Sequence, residues 1–126
     1  MDFIKKLEQL GLLNKGNALD VGAGKLNEAK KLAEKGYIVD AVDINESDVI
    51  DPSIHFYKSK IEDFNTEKKY SLIIAQNVLF FTNDPLTNLV KLFNLTEKGG
   101  YVCFTLLGKK MIGIRIKTLF VSSKMI

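Results

Sequence analysis

Two acids and a pair of glycines at the ends of two apolar runs are the residues that could do chemistry together. Asp20 lies in the run ALDV, two positions before Gly22 of a Gly-x-Gly, and Asp43 closes the run YIVDAVD. Glycine lets the backbone approach a ligand, and the N-terminus of a following helix favours an anionic group. An acid about twenty residues further on can accept hydrogen bonds from both hydroxyls of a ribose. This spacing predicts a site for a cofactor that carries a nucleoside.

The acid at position 20 separates two classes of cofactor that such a site can hold. Nicotinamide and flavin proteins usually have an apolar residue there, and a third glycine where this chain has Asn27. An acid instead suits a cofactor with a positively charged end, and S-adenosylmethionine carries an ammonium and a sulfonium. NADP is opposed further because no basic residue directly follows Asp43. The residues therefore favour S-adenosylmethionine, and a nicotinamide cofactor stays an alternative.

Alternating strands and helices are predicted to position these residues. Asp2 can cap a helix with apolar residues at helical spacing up to Gly11, and Asp84 with Pro85 can begin another. The link after Asp43 has room for a helix of about one turn. The remaining elements are a strand at 17–21, a helix at 28–35, and strands at 37–43, 54–58, 70–75 and 98–107.

This alternation implies an α/β fold, in which a doubly wound, mostly parallel sheet is covered on both faces. The binding crevice of such a sheet lies at the carboxyl ends of its first strands. A single domain, residues 1–126, suits the length of the chain. Within it we expect an N-terminal helix in residues 1–13, a cofactor-binding core in residues 17–107 and a basic tail in residues 108–126.

The basic character of the chain is confined to this tail. Residues 1–107 carry 13 Lys against 15 Asp and Glu, a net charge of −2, whereas residues 108–126 carry five basic residues and no acid, a net charge of +5. Such a tail could contact RNA or a membrane, but basic residues interleaved with Ile are more typical of one solvated face of a structural element. The alternation from Ile112 to Ile116 predicts an edge strand, antiparallel to the fifth strand.

Composition favours a cytoplasmic protein without a disulfide framework. The chain has one cysteine, Cys103, which lies in an apolar strand and is predicted to be a buried hydrophobe rather than a nucleophile. The charged N-terminus lacks the apolar core of a signal peptide, and no apolar run is long enough for a membrane span. His55, the only histidine, is given no catalytic role, and no metal site is predicted.

Over about residues 17–108 the sequence resembles the class I S-adenosylmethionine-dependent methyltransferases. ALDVGAG is similar to the first motif of that family, and VDAVDI to the second. FYKSKIEDF resembles the segment of the third strand, YSLIIAQNVLFF the fourth strand with its loop, and LTEKGGYVCFTLLG the entry to the fifth. The resemblance implies that Asp20, Gly22, Ala23 and Gly24 contact the methionine end of the cofactor. It places Asp43 at the ribose, and Ile44 and the backbone N–H of Ile61 at the adenine. Gln76 and Asn77 would face the methyl group and the acceptor.

Three positions depart from the family pattern. Leu26 stands where the family often has a third glycine, Lys60 where it has an acid that contacts the adenine amino group, and Ser71 where an acid opens the fourth strand. Lys60 cannot accept a hydrogen bond, so we expect a lower cofactor affinity than is usual for the family.

The resemblance implies methyl transfer from S-adenosylmethionine to an unidentified acceptor. The loop AQNVL lacks the Asn/Asp-Pro-Pro-aromatic signature of enzymes that methylate base or glutamine nitrogens, which favours a small-molecule acceptor over DNA. The family sheet usually has seven strands, whereas this sequence stops soon after the predicted fifth, so we expect a fold with a shortened C-terminal part. The missing strands would leave a C-terminal sheet edge open to self-association or a partner chain. The alternatives are a non-catalytic S-adenosylmethionine-binding or regulatory module and an NAD-dependent enzyme.

Overall fold

A seven-stranded sheet carries helices on both faces, in a computed structural model that describes residues 2–76, 78–79, 82–106, 110–117 and 120–125. Within these residues the helices are α1 (Phe3–Gln9), α2 (Asn27–Glu34) and α3 (Pro85–Leu95), with a 3₁₀ turn at Ile61–Asp63. The strands are β1 (Gly16–Val21), β2 (Tyr37–Asp43), β3 (Ile54–Lys58), β4 (Tyr70–Gln76), β5 (Thr96–Leu106), β6 (Lys110–Lys117) and β7 (Phe120–Met125). None of the described helices has the length and apolar character needed to cross a membrane.

The strand order is β3-β2-β1-β4-β5-β6-β7, and the first five strands are parallel. The predicted α/β fold, doubly wound with a mostly parallel sheet, is therefore confirmed. The chain runs outward from β1 to β3 and then returns to place β4 on the other side of β1. A crevice opens where the strand order reverses in this way, at the carboxyl ends of β1 and β4.

Each face of the sheet has its own hydrophobic core, because successive side chains of a strand point to opposite faces. Ala18 of β1 packs with buried residues of α1 and α2, among them Leu7 and Leu32. The next residue, Leu19, packs with buried residues of α3, among them Leu92. Side chains of β1 are thus held from both sides, which fixes the position of the turn that follows.

The helix caps hold as predicted. Asp2 accepts a hydrogen bond from the Lys5 N–H at 3.0 Å, and Asp84 accepts one from the Thr87 N–H at 3.1 Å with Pro85 in the first turn of α3. A carboxylate at this position satisfies an N–H that lacks a partner inside the helix. Residues 44–53 contain no helix, and the 3₁₀ turn is the only helical segment between β3 and β4.

The tail forms two strands where the sequence predicts one. β6 pairs with β5 in antiparallel register, as the alternation predicts, with Val102 opposite Ile114. The predicted edge position of this strand is wrong, because β7 pairs antiparallel with its other side. Isoleucines at every second position fit one buried face of a sheet and do not reveal how many strands flank it.

Candidate functional site

The turn between β1 and α2 is tied to the end of β2. Gly22 and Gly24 have φ angles of +74° and +54°, a region that favours glycine. The N–H groups of Gly22 and Ala23 both donate to the Val42 carbonyl oxygen, at 2.8 and 3.1 Å. The two strand ends and the turn therefore form one rigid corner at the carboxyl edge of the sheet.

Gly22 is required here for a second reason. A Cβ atom at this position would lie 2.7 Å from Cγ2 of Val78, in the segment that follows β4. Real Cβ atoms do not approach other atoms that closely, so any larger residue would push the two segments apart. The close approach brings the segment after β4 over the glycine turn.

Leu26 keeps the backbone conformation of the glycine that it replaces. Its φ angle is +66°, which costs a residue with a Cβ about 1–2 kcal/mol. Its side chain is only 1% exposed and packs in the core beneath α2, where burial of a leucine stabilises by about 1.5–3 kcal/mol. The departure from the family pattern is thus accommodated, since burial offsets the strain.

Asp20 is buried beneath the glycine turn with an incomplete set of partners. The residue is 4% exposed and accepts a hydrogen bond from the backbone N–H of Ala29 in α2. Its Oδ2 atom has no partner among the described residues. Burial, together with the nearby charges of Glu28 and Asp43, raises the pKa of this carboxyl to about 8. A cation beside Oδ2 would provide the missing partner and favour the ionised form.

Asp43 closes the corner from the side of β2. Its Oδ2 accepts the Gly24 N–H and its Oδ1 the Asn45 N–H, each at 2.8 Å. A carboxylate oxygen has two lone-pair sites, so both oxygens keep capacity for a further donor. Asp43 thus both orders the glycine turn and offers two acceptors to a ligand.

A cavity of about 290 Å³ opens beside this corner. Gly22, Asp43, Ile44 and Ile61, four of the predicted site residues, line it. Asp20, Ala23, Gly24 and Gln76 do not, and the predicted Asn77 lies outside the described residues. The other described lining residues, of which only Lys60 stands at a position that the sequence links to the cofactor, are Val21, Val42, Ser59, Lys60, Glu62, Val78, Thr82 and Asn83. The cavity therefore has three walls. The first lies at the ends of β1 and β2, the second in the segment after β3, and the third in the segment after β4.

Comparison with known proteins decides the family. A family profile described as "Methyltransferase domain" matches residues 1–119 of the 126. The chain belongs to the methyltransferase domain family. The class I resemblance carried by the motifs is thereby confirmed, and the corner formed by β1, β2 and the glycine turn is the part of this methyltransferase domain where those motifs meet.

Relatives of this methyltransferase domain include a curated protein and solved structures. Malonyl-[acyl-carrier protein] O-methyltransferase 1 of Ilyobacter polytropus is 27% identical over 104 residues, covering 75% of this chain and 39% of that protein. The N-methyltransferase NodS of Bradyrhizobium japonicum, in complex with S-adenosylhomocysteine, has a TM-score of 0.60 at 20% identity, covering 71% of this chain and 51% of that chain.

A third relative is 1,6-didemethyltoxoflavin-N1-methyltransferase of Burkholderia thailandensis, solved with 1,6-didemethyltoxoflavin and S-adenosylhomocysteine. It has a TM-score of 0.68 at 16% identity, over 90% of this chain and 58% of that chain. These structural similarities establish the same fold. The chain spans between 39% and 58% of the length of these three relatives.

A second polar cluster lies in the methyltransferase domain away from the cavity. Asp40, 2% exposed in β2, accepts hydrogen bonds from the Tyr70 hydroxyl at 2.7 Å and Lys68 Nζ at 3.1 Å, and lies 3.3 Å from Nδ1 of His55. Burial and the hydrogen bond to Asp40 raise the pKa of Tyr70. These contacts join β2, β3 and β4, which gives His55 a place in a structural network.

Among the described residues there is neither a reactive cysteine nor a candidate metal site. Cys103 is fully buried, as predicted, and burial raises the pKa of its thiol to about 12. A thiol with so high a pKa is a poor nucleophile. Among the residues that the structure describes, no group of three or more His, Cys, Asp and Glu could hold a metal ion.

Proposed function

We propose that this domain binds S-adenosylmethionine at the corner of β1 and β2 and transfers its methyl group to a small molecule. The observation that carries the proposal is the unpartnered Oδ2 of buried Asp20 beneath the glycine turn. A buried carboxylate with a free acceptor calls for a cationic group, and the methionine end of this cofactor has two. Membership of the methyltransferase domain family and the S-adenosylhomocysteine complexes of structural relatives support the same cofactor.

We assign each of the predicted site residues to one part of the cofactor. Asp20, Gly22, Ala23 and Gly24 would hold the methionine end, Asp43 the ribose hydroxyls, Ile44 and Ile61 the adenine, and Gln76 with Asn77 the side of the acceptor. Gly22 lets Val78 lie directly against the glycine turn, which brings the segment after β4 to the cavity. Ile44 is 61% exposed beside the cavity, and a stacked base would cover its apolar surface.

The bound cofactor supplies a methyl group activated by the sulfonium. Displacement of that methyl group needs an acceptor atom in line with the carbon–sulfur bond, so the main contribution of the protein is alignment. The corner is suited to this because its glycine turn is fixed by hydrogen bonds to Val42 and Asp43. Asp43 and Glu62 are the acids that line the described part of the cavity, and Asp43 is assigned to the ribose. Glu62 lies in the wall after β3, beside the residue assigned to the adenine, so we assign no general base among the described residues.

The acceptor is proposed to be a small molecule rather than DNA. The toxoflavin relative was solved with a bound small molecule, and the relative from Ilyobacter is named for malonyl-[acyl-carrier protein]. The loop after β4 lacks the signature of base and glutamine N-methylation. We also propose a cytoplasmic location. Self-association or a partner chain at the C-terminal sheet edge, which is β7, stays a prediction.

Two measurements test this function. Calorimetry with S-adenosylmethionine, S-adenosylhomocysteine and NAD is expected to show binding of the first two only, and binding of NAD alone would contradict the proposed cofactor. Incubation with methyl-labelled S-adenosylmethionine and separate pools of metabolites, RNA, DNA and protein is then expected to label a metabolite. Label in DNA would contradict the proposed acceptor. Cofactor binding without label in any pool would favour the non-catalytic binding module.

A further inference from the structure

A lysine of α3 holds the wall of the cavity that follows β3. Lys91 Nζ donates to the backbone carbonyl oxygens of Ile61 at 2.7 Å and of Glu62 at 3.0 Å. These carbonyls belong to the 3₁₀ turn, while Lys91 is 30 residues away in sequence. Hydrogen bonds from a charged donor are stronger than neutral ones. Because Ile61 is also buried in the core with Leu92 of α3, the turn is fixed to this helix by both polar and apolar contacts.

Glu62 is the acceptor on this wall that is free to meet a ligand. Asp43 and Glu62 are the acids among the described lining residues of the cavity. Asp43 lies in the wall formed by β1 and β2 and is assigned to the ribose. No described residue donates to the Glu62 carboxylate, although its backbone carbonyl is fixed by Lys91. The turn therefore presents an unpaired carboxylate on a fixed backbone.

The chemistry of this wall distinguishes an amino group from an oxo group on a purine. Adenine carries an exocyclic amino group that donates, whereas its deaminated counterpart carries an oxygen that accepts. Lys60, beside Glu62 in the cavity lining, can only donate, so it favours the oxo group. A carboxylate favours the amino group. Selection for adenine at this wall therefore rests on Glu62 together with the backbone N–H of Ile61, which would meet an acceptor at N1 of adenine but a proton at N1 of the deaminated base.

We propose, on the basis of the function proposed above, that Glu62 determines specificity for the adenine amino group and that Lys91 is its positioning residue. The carboxylate accepts from the amino group, and the lysine holds the turn so that the carboxylate meets the base. This assignment supplies a replacement for the acid that is absent at position 60. The base is then recognised from a position two residues further along the turn.

The test compares the binding of S-adenosylhomocysteine with that of its deaminated analogue, which has an oxo group in place of the 6-amino group. Calorimetry on the full chain should show a preference for the adenosyl compound of at least about tenfold, as for a hydrogen bond to a charged group. Glu62→Gln should reduce this preference at least about threefold, because an amide can accept from the amino group or donate to the oxo group, and the preference that remains comes from the Ile61 N–H. The matched control is Asp63→Asn, which removes a neighbouring acid of the turn that does not line the cavity.

The variants of the lysine test the positioning role. Lys91→Met removes the donors and should lower the adenosyl preference as well as the affinity, whereas Lys91→Arg should restore part of both. A role in stability alone would lower the melting temperature and leave the preference unchanged, which would overturn the assignment of Lys91. An unchanged preference in Glu62→Gln would overturn the assignment of Glu62 and leave the proposed function intact. Binding of neither nucleoside by the wild-type protein would overturn both the inference and the proposed function.

Discussion

Replacing Asp20 with Asn is expected to change how stability depends on pH. The pKa of this carboxyl is raised by burial from its usual 3.8 to about 8, so the folded protein keeps the proton that the unfolded chain loses. The stability that this proton contributes is fully present below pH 4 and is lost as pH rises through 8. The difference between the two pKa values corresponds to roughly 6 kcal/mol at about 1.36 kcal/mol per unit.

The test depends on how steeply the unfolding free energy changes with pH between pH 5 and pH 7. In that range the folded state holds one more proton at Asp20 than the unfolded state, so the wild-type protein should lose about 1.4 kcal/mol of unfolding free energy per pH unit from this group. Asn does not titrate, and the other groups of the protein are common to both chains. The unfolding free energy of Asp20→Asn minus that of the wild type should therefore rise by roughly 3 kcal/mol from pH 5 to pH 7.

Urea denaturation at pH 5, 6 and 7, followed by circular dichroism, measures this difference directly. The Asp63→Asn variant removes an exposed acid and is the matched control. Parallel pH profiles for the wild type and Asp20→Asn would refute the reasoning, because they would mean that Asp20 is already ionised in the folded protein. A constant offset between the two profiles reports packing of the amide, whereas a change of that offset with pH reports the titration of Asp20.

Three further predictions follow from contacts of single side chains. Asp43→Ala should weaken S-adenosylhomocysteine binding by about 1.5–3 kcal/mol in calorimetry, the range for hydrogen bonds to a charged group, and unchanged affinity would contradict the ribose assignment. Gly22→Ala should lower the melting temperature because its Cβ would lie 2.7 Å from Val78, and a second substitution, Val78→Ala, should restore part of the loss. Tyr70→Phe should cost about 1–3 kcal/mol in urea denaturation because it removes a buried donor to Asp40, and a loss below about 0.5 kcal/mol would argue against the network.

The parallel half of the sheet could be predicted from local patterns. β2 and β3 are observed at the predicted residues, because their β-branched and aromatic residues lie between turn residues. Gly22 and Gly24 marked the turn because positive φ angles are costly for other residues. Such features depend only on residues that are close in the sequence, so a single sequence is enough to reveal them.

What the sequence did not reveal depends on contacts between distant residues. Lys91 donates to backbone carbonyl oxygens of a turn 30 residues earlier in the sequence. Nothing in the helical pattern of α3 indicates that this lysine binds the backbone of the turn instead of pointing into solvent. Leu26 looked like a loss of the third glycine, but its backbone conformation is kept by burial of its side chain. β7 was missed because pairing with β6 depends on register across the sheet rather than on a pattern within 120–125.

β3 forms a separate cooperative unit beside the cavity, because it is attached to the sheet on one side only. β3 is an edge strand, pairs with β2 alone, and enters and leaves through segments without an α-helix. Elements with few packed neighbours open by local unfolding at a lower free energy than the whole fold. Opening of β3 would free one end of the adjoining 3₁₀ turn, which Lys91 ties to α3 at 2.7 Å, and would thereby disturb one wall of the cavity. Only the fraction of molecules with β3 closed would then bind, so the measured affinity would be the intrinsic affinity reduced by that fraction.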